Sequence, residues 1–178
     1  MDIQAQVDAL KAAIRDVPDF PKKGIVFKDI TTLLKDPALF RRTVDLLAVL
    51  CGDRPVDKVV AIESRGFILG GVLASRLGAG FVPVRKPGKL PAKTLRASYA
   101  LEYGTDTLEI HEDALDKGDR VLIVDDVIAT GGTAHAVGEL VDRLGAKVVA
   151  FAFLVELGFL NGREKLAGRE ILSLIRYS

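Results

Sequence analysis

The chain has 178 residues, long enough for one well-cored domain and too short for two ordinary ones unless the second is a small appendage. Apolar residues make up 49% and charged residues 28%, an ordinary balance that excludes a disordered or fibrous chain. A net charge of +1 sets up no overall field for a nucleic-acid backbone, so no nucleic-acid partner is expected and any anion site must come from local clustering.

Ile3, Val7, Leu10 and Ile14 recur at helical spacing and predict an outer amphipathic helix. The segment FPKKGIVFKDITTLL places turn residues before an alternation around Val26 and Phe27, which predicts an ordered loop with a short strand rather than a helix. Asp36 followed by Pro37 reads as an N-cap and a first helical position, opening a helix through about Leu50. From Lys58 the order is regular: KVVAIE as a strand, GFILGGVLASRLG as a helix ending at Gly78, and FVPVRK as a second strand, together a βαβ unit. SYALEY and TLEIH flank Gly104-Thr105-Asp106 and predict a hairpin in which Glu102 and Tyr103 face opposite ways. RVLIVD is another apolar strand. Ala134 to Leu144 is a helix with Val137, Leu140, Val141 and Leu144 on one stripe and Gly145 as its stop. KVVAFAFLV and EILSLIRY complete the strands. Strands that are apolar throughout and alternate with helices predict an α/β fold, a twisted parallel sheet with helices on both faces.

The longest uninterrupted apolar run, Val148 to Val155, falls far short of the ~20 residues a membrane-spanning helix needs, and MDIQAQVDALKAAI shows no basic leader with an apolar core. No membrane partner and a cytoplasmic address are therefore expected. Cys51 is alone, which excludes an intrachain disulfide or a CxxC metal site, and it reads as a small semi-buried hydrophobe. His111 and His135 are too isolated to form a metal site.

VLIVDDVIATGGTA, Val121 to Ala134, is the most informative stretch. Buried carboxylates are costly unless paired, so Asp125 and Asp126 are expected at an exposed strand end facing a ligand. Ligands of open parallel sheets bind beyond the carboxyl ends of the strands. The following ATGGT enters a helix whose N-terminal amides and dipole, about half a positive charge, suit an anion. Gly131 and Gly132 permit close approach, and Thr130 and Thr133 offer hydroxyls. The aspartates suit sugar hydroxyls or a hydrated magnesium ion, and a ribose phosphate satisfies both halves. GxxxxGK[ST] and GxGxxG are both absent, which removes the P-loop and dinucleotide-binding alternatives. Arg85, Lys86, Lys89, Lys93 and Arg96 form a basic loop after a strand, read either as a solvated face or as a clamp for an anion.

VLIVDDVIATGGTA resembles the phosphoribosyl pyrophosphate motif of the type I phosphoribosyltransferases. FPKKGIVFKDITTLL, ESRGFILGG, FVPVRKPGKLP and ASYALEYGTDTLEIHEDAL resemble the adenine phosphoribosyltransferases in order and approximate spacing, from about Ile14 nearly to the C-terminus. The resemblance implies a single domain over residues 1–178: an N-terminal helix and hood in 1–35 and a phosphoribosyltransferase core in 36–178, with a flexible hairpin lid at about 95–111. It implies transfer of the 5-phosphoribosyl group from phosphoribosyl pyrophosphate to adenine, yielding AMP and pyrophosphate, with Mg²⁺ held mainly by substrate and water. By the same resemblance Glu102 is the catalytic acid or base, and Tyr103 helps the lid seal the site. Asp125 and Asp126 hold the ribose, while Ala129, Thr130, Gly131, Gly132 and Thr133 hold the 5′-phosphate. Arg65, Arg85, Lys86 and Lys89 contact pyrophosphate, and supply of Arg85 and Lys89 by a neighbouring subunit would imply a homodimer. Val26 and Lys28 contribute backbone groups to the purine edge, with Phe27 and Leu157 on the ring faces. The chain departs from many relatives in Lys28, where arginine is usual, and Lys23, where proline is frequent. A phosphoribosyltransferase for another base and a non-catalytic phosphoribosyl pyrophosphate sensor are the alternatives, and the sensor would need a DNA-binding element.

Overall fold

Asp2 accepts a hydrogen bond from the Gln4 amide at 3.0 Å and so caps α1 (Ile3–Ala13), which buries Leu10. This helix opens the first of two compact units in a computed structural model that describes residues 2–100 and 104–178. The units meet at Leu46 and Leu47 in the sequence. Within the first, β1 (Arg15–Pro18) pairs antiparallel with β2 (Val26–Asp29). The strand around Val26 and Phe27 was expected; β1 was not, because a four-residue piece ending in proline carries no alternation of its own. Asp29 accepts bonds from the Thr31 amide and hydroxyl, at 2.9 and 2.6 Å, and this starts the short helix α2 (Thr31–Leu34) in place of the expected loop. The Asp36 carboxylate takes the amides of Ala38 and Leu39, each at 2.9 Å, and Pro37 begins α3 (Pro37–Cys51), which carries the chain into the second unit.

In the second unit β3 (Lys58–Ile62), α4 (Arg65–Leu77) and β4 (Gly80–Val84) form the expected βαβ unit, with the two strands parallel and adjacent. Gly78, at φ +66°, ends α4 in the left-handed conformation that glycine adopts without a Cβ penalty. After β5 (Thr94–Ala100) and β6 (Thr105–His111) come β7 (Arg120–Ile128), α5 (Gly132–Arg143), β8 (Lys147–Leu157) and β9 (Ile171–Tyr177). The five-stranded sheet has the order β4-β3-β7-β8-β9 and is parallel throughout.

Both sheet faces are covered. Val60, Ile62, Val121, Ile123, Phe151 and Phe153 pack with Val137, Leu140 and Val141 of α5 and with Leu108 and Ile110 of β6. On the opposite face α4 buries Leu69 and Leu73, and a Cβ at Gly70 would run into Ala61, so the missing side chain sets how closely this helix lies on the sheet. β5 and β6 pair antiparallel with Ala100 opposite Thr105 and Tyr99 opposite Asp106. Thr105 and Asp106, expected in the turn, are therefore strand residues. The only part of that expected turn outside a strand is Gly104, at φ +97°. Among the described residues no helix is long and apolar enough to cross a membrane.

Candidate active site

β7 does not stop where the carboxylates begin. It continues through Asp125 to Ile128, in register with β8 at Asp125–Phe153, Val127–Val155 and Ile128–Glu156. This corrects the expectation of an exposed strand end: Asp126 is only 5% exposed. Its burial is tolerated because Arg65, first residue of α4, brings Nε to 2.5 Å from Asp126 Oδ2. The Asp126 amide in turn donates to Asp125 Oδ1 at 2.9 Å. Burial, and next the neighbouring charge of Asp126, push the Asp125 carboxyl well above the usual carboxylate range, while Arg65 acts in the opposite sense.

Beyond Ile128 the chain turns through Ala129, Thr130 and Gly131 into α5. Gly131 sits at φ +79°, a conformation L side chains rarely adopt, and a Cβ there would strike the Gly162 carbonyl. No side chain caps this helix start, so its first-turn amides remain available for an anion. The stretch from Asp125 to Ala134 lines one side of a cavity of about 380 Å³, and Glu63, Ser64, Arg65, Lys86 and Tyr99 line the other. β3 and β7 are neighbours in the sheet, which is why the segments following them share this space.

The basic residues divide into two groups. Lys86 faces the cavity with its ammonium on Asp106, whose carboxylate also accepts from the Tyr99 hydroxyl at 3.1 Å. Burial works against the charge on Lys86, but the bond to Asp106 and the partners around it raise the ammonium above its ordinary value. Arg85 and Lys89 instead converge on Glu63, with Arg85 Nε at 2.8 Å from Oε2 and Lys89 Nζ at 2.7 Å from Oε1. Burial opposes ionisation of Glu63; the bonds from Lys89, Arg85 and the Lys86 amide outweigh it and hold the carboxyl below its usual value. Glu109, 1% exposed, lies beneath the same loop. It accepts the Gly88 amide at 3.1 Å, and its Oε1 is 2.6 Å from Arg96 Nε, an ion-pair distance without hydrogen-bond alignment.

Ser64 is the N-cap of α4 without a side-chain capping bond, and the Glu63–Ser64 peptide is cis. In the first unit, Val26 is 48% exposed, and the Phe27 ring meets Phe20 edge-to-face at 5.2 Å between centroids. Lys28 Nζ is 2.6 Å from Asp16 Oδ1. Leu157, half-buried, ends β8 in the second unit. Glu102 and Tyr103 lie outside the described residues. His135 Nδ1 is 3.9 Å from Glu139, and among the described residues no group of three or more His, Cys, Asp or Glu side chains comes together to hold a metal ion. The structure thus gathers Arg65, Lys86, Asp125, Asp126 and the 129–133 turn around one cavity and places Arg85 and Lys89 on Glu63. The sequence gives Glu63, Asp106 and Glu109 no site role, because their cationic partners are reached only through the fold.

A glycine turn at an uncapped helix start lies beside an acidic pair and two cations at the carboxyl edge of a parallel sheet, an α/β arrangement whose chemistry suits a phosphorylated, hydroxyl-bearing ligand. The family model "Phosphoribosyl transferase domain" matches residues 29–170. An adenine phosphoribosyltransferase of Geotalea uraniireducens is 58% identical over 171 residues, covering 96% of this chain and 100% of the relative. The crystal structure of adenine phosphoribosyltransferase from Thermoanaerobacter pseudethanolicus superposes with a TM-score of 0.94 at 56% identity, covering 96% of this chain and 99% of the other. That of Saccharomyces cerevisiae, complexed with adenine and an imino-altritol bisphosphate, gives 0.90 at 43% identity, with coverage of 96% and 99%. The chain belongs to the adenine phosphoribosyltransferase family, with the type I phosphoribosyltransferase fold.

Proposed function

We propose that the cavity between the 129–133 turn and Arg65 is where the phosphoribosyl group is held while adenine replaces pyrophosphate at ribose C1, yielding AMP. The transfer follows from the family; the residue roles are our reading, carried by one observation. The uncapped start of α5, the acidic pair and the cations Arg65 and Lys86 open onto the same cavity.

In this reading the amides and hydroxyls of Ala129 to Thr133 take the 5′-phosphate, and Asp125 and Asp126 accept from ribose hydroxyls. Arg65 and Lys86 face the pyrophosphate end, where negative charge grows as the bond to C1 breaks and the sugar gains oxocarbenium character. Substrate entry then draws Arg65 partly away from Asp126, exchanging one anionic partner for another. Arg85 and Lys89, gathered on Glu63, complete the pyrophosphate contacts in the assembled protein. Glu102 manages a purine proton and Tyr103 helps the lid exclude water. Phe27 offers a ring face to the purine, Val26 and Lys28 offer backbone groups, and Leu157 offers an apolar contact. The Lys28 side chain already has Asp16 as a partner, which favours recognition through its backbone.

Magnesium would supply charge neutralisation on the leaving pyrophosphate. Substrate oxygens and water would hold it, and the acidic pair on the cavity wall would accept hydrogen bonds from that water. A homodimer is part of the proposal. It is supported by Ile68 and Val72, four apart on α4 and 43% and 42% exposed, and by Phe81 of edge strand β4 at 41%. A cytoplasmic setting, in which the free buried thiol of Cys51 stays reduced, completes it. Supplying adenine, hypoxanthine, guanine and orotate separately with phosphoribosyl pyrophosphate and Mg²⁺ tests the substrate. AMP from adenine is expected, and a preference for any of the other three bases would overturn the reading.

A further inference from the structure

The 5′-phosphate turn is shaped from outside as well as from within. Gly131 and Gly162 face each other at backbone contact: a Cβ on Gly131 would meet the carbonyl, carbon and α-carbon of Gly162, and a Cβ on Gly162 would meet the Ala129 carbonyl and the Gly131 nitrogen. Neither position has room for a side chain. Gly162 opens the 3-10 turn Gly162–Leu166, and the next residue fastens that turn to the sheet. Arg163 grips Glu156 with both arms of its guanidinium, Nε to Oε1 at 2.8 Å and Nη2 to Oε2 at 2.7 Å. It also donates to the Ser173 hydroxyl at 2.9 Å and to the Ile171 carbonyl at 3.3 Å. Ser173 itself donates to Glu156, and Arg176 Nε stands 3.5 Å from the same carboxylate. Glu156 is 3% exposed and pairs in register with Ile128, the last residue before the phosphate turn.

Resting on the assignment of 129–133 as the phosphate cradle, we infer that Arg163, locked by Glu156 and Ser173, is a positioning residue that braces the cradle by holding the Gly162 backbone against Gly131. An anion site made of amides works only if those amides converge before the ligand arrives, because ordering the turn on binding would cost affinity. The turn has a left-handed glycine at its centre and no side-chain cap at the helix it enters, so little within it fixes its shape. The Gly162 backbone supplies that constraint, and the Arg163–Glu156 fork fixes where Gly162 sits. Arg65, Lys86 and Glu63, which line the other side of the cavity, stand on segments apart from Gly162 and Arg163.

The test measures binding of ribose 5-phosphate and, separately, of magnesium pyrophosphate by calorimetry, on the full chain well below its melting temperature. Wild type is compared with Arg163→Met, Arg163→Lys and Gly162→Ala. Arg163→Met should weaken ribose 5-phosphate about tenfold or more while leaving pyrophosphate within about twofold, as misplacement of one binding element predicts. Arg163→Lys, which keeps the charge but loses the fork, should recover only part of the affinity. Gly162→Ala leaves the ion pair intact and disturbs the turn directly, so it should give the same selective loss, and Arg163→Lys decides the role of Arg163 if Arg163→Met fails to fold. Unchanged ribose 5-phosphate affinity in either Arg163→Met or Gly162→Ala, or equal losses for both ligands, would overturn the brace alone. If wild type itself bound no ribose 5-phosphate, the cradle assignment would fall and the brace with it.

Discussion

Replacing Arg65 with Met keeps most of the side-chain volume and removes the cation from the Asp126 pair. Breaking a buried pair by deleting one partner costs about 3–5 kcal/mol, but Arg65 is 42% exposed, and solvent screening lowers the expectation to about 1–3 kcal/mol. For a chain of 178 residues that corresponds to a fall in melting temperature of about 3–9 °C. The pH dependence carries more information. The Asp125 carboxyl already sits high because of burial and the charge of Asp126, and Arg65 is one of the groups pulling it down. Without Arg65 it rises further. A carboxyl raised in the folded state binds protons that the unfolded chain has released, so stability falls as pH climbs from about 4 to the folded value. Arg65→Met should therefore lose more stability at pH 8 than at pH 5, measured by urea denaturation at both. The same variant should lose about 10²-fold or more in kcat/KM through the missing pyrophosphate contact. A stability loss identical at the two pH values would refute the coupling of Arg65 to the acidic pair.

Gly66→Ala places a Cβ 2.8 Å from Asp125 Oδ1 and 3.1 Å from the Val124 carbonyl, so it should destabilise by about 1–3 kcal/mol in thermal melts. Gly71→Ala on the same helix meets nothing within 4 Å and should be neutral or slightly stabilising; equal effects would mean α4 does not press on β7 at Asp125. Bonds from Thr31 and Arg15 hold Asp29 at about 2, so its contribution is complete above pH 4 and lost as pH falls toward 2. Asp29→Asn should remove about 1 kcal/mol of that acid-range dependence, allowing for the exposed Arg15. Glu102→Ala should lower kcat by about 10²-fold or more with little change in the affinity for phosphoribosyl pyrophosphate, and unchanged turnover would remove Glu102 from the chemistry.

Much of the fold was legible because local chemistry and global placement agree. The Asp36–Pro37 start of α3, Gly78 after α4 and the apolar runs of β3, β7 and β8 each follow from nearby residues. The turn from Ala129 into α5 was legible because its glycines and threonines stand directly before a helical stripe. The location of the acidic pair was not, since an unpaired carboxylate belongs at an exposed end and the pairing cation lies 61 residues upstream. The hairpin turn was misplaced because Thr105 and Asp106 are turn-forming residues by type, while the ladder to Ala100 and Tyr99 claims them. The basic loop left two readings open, a solvated face or an anion clamp, because the carboxylate that gathers Arg85 and Lys89, Glu63, is on another strand end. Gly162 gave no local signal, since the backbone it must approach is more than thirty residues away in the chain.

The most direct measurement is a crystal structure of the protein with AMP. The nucleotide phosphate should lie within about 2.7–3.2 Å of the main-chain nitrogens of residues 130–133, with the ribose hydroxyls turned to Asp125 and Asp126. AMP bound with its phosphate away from that turn, or with the ribose hydroxyls facing other residues, would contradict it.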